Sequence, residues 1–113
     1  MRGTCLAKAR NKKSVEALVT QTYLQLSHIA WDHNGARSAS LARHGNYEVR
    51  MVEFLPTGRP DFRHLWIELH DVSGQTLIDS AGCDELDDAT IAAAEKFISQ
   101  AEDLADGRRP GNS

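Results

Sequence analysis

The chain has 113 residues, of which 41% are hydrophobic and 26% charged, and a formal net charge of −3. That length suits one domain around a single core and excludes two ordinary ones, and the composition is that of a folded globular protein, not a disordered one. No apolar run approaches the roughly 20 residues of a membrane helix, and no apolar signal segment stands near the start, so a soluble, cytoplasmic protein is expected.

The first 13 residues carry Arg2, Lys8, Arg10, Lys12 and Lys13 with no acid. They lack apolar periodicity and read as a flexible basic arm. From Ser14 the pattern changes. Val15, Leu18, Val19, Thr22, Leu26 and Ile29 fall at spacings of three and four, which predicts a helix capped by Ser14 and ending between Trp31 and Gly35. The stretch ARSASLARHGN that follows is small and polar, with room for one or two helical turns closing at Gly45, and folding over a sheet face is one use for it.

Tyr47 to Leu55 alternates, with Tyr47, Val49, Met51 and Leu55 on one side and Glu48, Arg50, Val52 and Phe54 on the other, the period of a strand. PTGRPDF supplies a turn. Arg63 to Val72 alternates again, setting Leu65, Ile67 and Leu69 against His64, Trp66, Glu68 and His70. Ser73-Gly74 reads as a two-residue hairpin loop and Gln75 to Ser80 as a short third strand. After Cys83 the helical period returns and runs to Gly107, the expected C′ residue. The divisions are an arm over 1–13, one domain over 14–106 and a disordered tail over 107–113.

The fold class expected is therefore α+β, in the order αβββα: a three-stranded antiparallel meander with both helices on one face. The odd-numbered residues of the first two strands and Ile78 would face the helices. On the other face Val52, Phe54, Trp66 and Leu77 would stand with Arg50, His64 and His70, and with the acids Glu48, Glu68 and Asp79. An uncovered face of that kind is a candidate interaction surface.

Ala92, Ala93 and Ala94, one turn into the last helix, give this element order a similarity to double-stranded RNA-binding domains over about two thirds of the chain. The resemblance implies a helix packed closely on the sheet and a lysine cluster at the helix start. This chain has Asp84, Glu85, Asp87 and Asp88 there. Duplex binding requires neutralised phosphates, and the half charge of a helix N-terminus does not reverse four carboxylates, so the topology is similar without the basic site.

Asp84, Asp87 and Asp88 stand at i, i+3 and i+4, a spacing open to a divalent metal, although acids at a helix start also serve as cap and dipole complement. Asp84 is the expected cap. His28 and His33 miss the i, i+4 spacing, and His64 and His70 lie about 20 Å apart along one strand. Cys83 precedes a helix but is flanked by acids that oppose thiolate formation. Cys5 and Cys83 suggest no structural disulfide, and no P-loop, G-x-S-x-G or G-x-G-x-x-G is present. The expectation is a non-catalytic domain without cofactor that associates with itself, or with a protein partner, through Val52, Phe54, Trp66 and Leu77. Alternatives are a nucleic-acid accessory protein using the basic arm and that face, and a metal site at Asp84, Asp87 and Asp88.

Overall fold

The computed structural model describes residues 12–55 and 63–107. Helix α1 spans Lys12–Leu26. Strands β1 (Ala36–His44), β2 (Tyr47–Phe54), β3 (Leu65–Asp71) and β4 (Thr76–Cys83) follow, and helix α2 covers Asp88–Ala105. The strands form one antiparallel sheet in the order β1-β2-β3-β4. The architecture is α+β, with four strands where three were expected.

Both helices pack on one sheet face. From β2 and β3 come Val49, Met51, Leu65, Ile67 and Leu69, all buried, and from α1 come Val15, Val19, Thr22 and Leu26. Helix α2 contributes Ile91, Phe97 and Ile98, with Ala94 and Ala101 as the small residues that let it approach. Burying those three large side chains stabilises the fold by about 5–9 kcal/mol before entropy is subtracted, at about 1.5–3 kcal/mol each. Asp87 starts α2. Its carboxylate accepts from the backbone N–H of Ala89 and Thr90, while its own N–H donates to Thr90 Oγ1. Gly107 ends the helix with φ +84, a conformation that suits glycine.

Residues 36–44, expected to be irregular or helical, are edge strand β1. They lie beside β2 and do not fold across the open face. Ala39 pairs with Met51, and after a bulge at Leu41, Ala42 pairs with Val49. This fourth strand departs from the αβββα order of the RNA-binding resemblance. Gly45 and Asn46 close the β1–β2 hairpin, with Gly45 at φ +60.

Other expectations are corrected too. Helix α1 already includes Lys12 and Lys13, so Ser14 is not its cap, and it ends at Leu26, leaving Ile29 and Ala30 exposed. The β3–β4 loop is four residues, 72–75. Asp71 organises it by accepting from Ser73 Oγ and Gly74 N, and these bonds hold its carboxyl below the usual range. A register shift then places Leu77 opposite His70 and Asp79 opposite Leu69. Ile78 is thereby expelled from the core and Asp79 leaves the open face. Leu55 is exposed and lies against Gly35 instead of in the core. Asp87, not Asp84, caps α2. The arm over 1–11, the turn over 56–62 and the tail over 108–113 lie outside the described residues.

Candidate functional site

The face away from the helices is an ordered grid. Register sets Ser38, Val52, Trp66 and Gly82 in one row across the four strands, and Ser40, Arg50, Glu68 and Ser80 in the next. Arg43, Glu48, His70 and Leu77 form a third row, and Phe54 meets His64 through a backbone hydrogen bond of 2.8 Å. The alternation in β2 and β3 thus brings Arg50, Val52, Trp66 and His70 to one face, with Phe54 and His64 at its end, and the register of β4 adds Leu77; Leu77 is exposed, whereas Val52 is already buried in the single chain.

Its apolar part is fixed by Gly82. A Cβ at that position would lie 3.0 Å from Trp66 Cη2, so the indole lies across the glycine. Trp66 Nε1 donates to the Arg63 carbonyl at 2.8 Å, and Arg63 Nη1 donates to the Gly82 carbonyl at 3.0 Å. These bonds hold the half-buried ring over Gly82, and Val52 is its neighbour across the strand pair.

Beside this ring stands a square of charge. Arg50 Nη1 donates to Glu48 Oε1 at 2.9 Å, and Nη2 donates to Ser38 Oγ at 2.7 Å. His70 Nε2 lies 2.8 Å from Glu68 Oε1. Arg50 is opposite Glu68 and Glu48 opposite His70, so the signs alternate in both directions when His70 is protonated. Burial raises the Glu48 pKa, but hydrogen bonds from Arg50 and Ser40, with the charges of Arg50 and Arg43, outweigh it and hold the carboxyl below its usual range.

One border of the face is a loop whose place against the sheet the sequence pattern did not mark. After α1, residues 27–35 fold back to β1. Asp32 Oδ1 accepts from Asn34 N and Ala36 N, bonds that hold this carboxyl below its ordinary value. Gly35, at φ +77, ties the loop to β2 by accepting from Leu55 N at 2.9 Å. Arg37 secures it. Its guanidinium binds Glu53 Oε1 through Nε and Nη2, at 2.9 and 2.8 Å, donates to the Ile29 carbonyl at 3.1 Å, and stacks 3.9 Å from the Trp31 ring centroid. Between loop and sheet lies a cleft of about 410 Å³, with Asp32, Arg50, Glu68 and His70 among its lining residues. Asp-His-Asn-Gly at 32–35 signalled a turn, but its docking onto β1 depends on contacts distant in sequence.

The remaining chemical candidates are dispersed. Asp87 is engaged as a cap, and Asp84 is exposed, 3.6 Å from Arg63. Among the described residues no three His, Cys, Asp or Glu side chains gather as a metal site requires. His28 and His33 are exposed on the loop, and Cys83 is a buried free thiol. No described helix is long and apolar enough to cross a membrane. No family model, curated protein or solved structure matches the chain.

Proposed function

We propose that the protein is a non-catalytic association module that pairs with a second copy of itself through the open sheet face. The observation that carries this reading is the register across the β2–β3 line, where Glu48 meets His70, Arg50 meets Glu68 and Val52 meets Trp66, a pattern of alternating sign when His70 is protonated. A two-fold axis lying in the contact plane along that line sets Glu48 of one copy against His70 of the other, Arg50 against Glu68, and Val52 against the Trp66 ring. One face is then its own complement, as an isologous dimer requires. Burying charges is costly, but these are already paired within each chain, which lowers the cost of bringing them together. The buried thiol of Cys83 fits work in a reducing compartment such as the cytoplasm.

The nucleic-acid reading draws less support, because the face's central cation, Arg50, already holds Glu48 and Ser38. Light scattering on the full chain tests the proposal. A dimer is expected at about 100 μM protein, a concentration well above a micromolar dissociation constant. Trp66→Glu should give a monomer. Ser40→Arg, at an exposed position in the charged row, should do the same with unchanged circular dichroism, separating loss of contact from loss of fold. A monomeric wild type at that concentration overturns the proposal.

A further inference from the structure

We infer that the cleft between the 27–35 loop and the open sheet face binds a small organic cation, a primary amine carrying a short apolar body. Its volume of about 410 Å³ lies in the range of small-molecule sites. Ile29, Ala30, Ala36 and Val52 give it apolar wall, while Asp32 and Glu68 bring carboxylates to it. Charge balance sets the sign of the ligand. Each guanidinium at the cleft is matched by a carboxylate outside the lining, Arg37 by Glu53 and Arg50 by Glu48. Asp32 remains as excess negative charge, and Glu68 is paired at 2.8 Å with His70, which also lines the cleft. The inferred partners of the ammonium group are the Asp32 and Glu68 carboxylates, whose hydrogen bonds described above use Oδ1 and Oε1. A carboxylate ligand would have to displace Glu48 or Ser38 from Arg50.

The wall is also organised in advance. Arg37 fastens the loop to β2 through Glu53, and to its own start through the Ile29 carbonyl and the Trp31 ring. Backbone bonds from Asp32 N to Ala36 O at 2.7 Å and from Leu55 N to Gly35 O at 2.9 Å complete the attachment. Little ordering is then required when a ligand enters, which favours binding even for a small molecule. Arg50, Val52, Glu68 and His70 line both the cleft and the face proposed for self-association, so pairing would cover the cleft, and the titration is made at a protein concentration where light scattering shows monomer.

Titration of the full chain with n-butylamine and, separately, butyrate, followed by amide NMR shifts, tests it. Butylamine should produce saturable shifts at residues 36–38, 50–52 and 68–70 with a dissociation constant of about 1–10 mM, in keeping with five heavy atoms. Butyrate should not. Glu68→Gln and Asp32→Asn each keep an oxygen acceptor while removing charge, and each should weaken butylamine by about fivefold or more. Three outcomes overturn the inference: no saturation, equal binding of butyrate, or shifts centred on the acidic segment 84–88. Unchanged affinity in both variants does so as well.

Discussion

A Cβ added at Gly82 would meet Trp66 Cη2 at 3.0 Å, Arg63 Cδ at 3.1 Å and Trp66 Cζ2 at 3.1 Å. The indole cannot retreat without giving up the bond from its Nε1 to the Arg63 carbonyl. Gly82→Ala should therefore destabilise the protein by about 1–3 kcal/mol, as overpacking does, and shift the tryptophan emission. Urea denaturation followed by fluorescence measures both. Alternation along β3 was enough to place Trp66 on the open face. Nothing local marked Gly82 as its seat, because the contact depends on the register of β4 against β3. Glu48 supplies a second prediction at this scale. Its carboxyl is held below its ordinary value of 4.5 in the fold, so the stability it contributes is present above that pH and is lost as pH falls through the folded value. Glu48→Gln should cost up to about 1 kcal/mol at pH 7, and its deficit relative to wild type should close as the pH falls below the ordinary value and through the lowered one. Thermal melts of both proteins between neutral and acid pH check the sign.

Among the elements, β2, β3 and α2 were legible from period alone, because each places large apolar residues at regular intervals against one core. Strand β1 was not. Its residues Ala36, Ser38, Ala39 and Ser40 are small or polar, and the bulge at Leu41 breaks the alternation where it would have shown. The same device in β4 reversed the parity on which Ile78 and Asp79 were assigned. The loop over 27–35 was legible as a turn but not as a wall, since Arg37, which secures it, lies in the strand that the pattern hid. That dependence can be measured. The Arg37 and Glu53 side chains are only 15% and 12% exposed, so Arg37→Ala leaves a largely buried carboxylate without its partner. A loss of about 2–4 kcal/mol follows, somewhat below the range for a fully buried pair. Hydrogen exchange should accelerate first at the amides of Asn34, Gly35, Ala36 and Leu55. Arg37→Lys should recover little, because an ammonium cannot reproduce the planar fork on Glu53 or the stack on Trp31.

For the whole molecule, two helices beneath four strands leave one sheet face outside the core, and that asymmetry was readable from element count and stripe alone. Counting did not show how unequally the helices share the work. Helix α2 contacts all four strands, whereas α1 contacts β1, β2 and α2. Strands β3 and β4 are thus joined to the helical layer chiefly through α2, and Phe97 is the largest of its fully buried side chains. Its removal tests whether the fold is one cooperative unit. Phe97→Ala should cost about 3–5 kcal/mol, a large part of the roughly 5–15 kcal/mol that holds a domain folded. At about 3–5 °C per kcal/mol for a chain of this size, the midpoint should fall by about 10–25 °C. Because Val15 and Val19 of α1, Ile67 of β3 and Phe97 belong to one buried cluster, circular dichroism and tryptophan fluorescence should fall together in the variant as in the wild type. Trp31 reports on the α1–β1 side and Trp66 on the β3–β4 side, so single-tryptophan versions of the Phe97→Ala protein should melt at the same temperature. Separate midpoints would mean that the β3–β4 hairpin detaches before the rest, and that α2 clamps two units together instead of closing a single core.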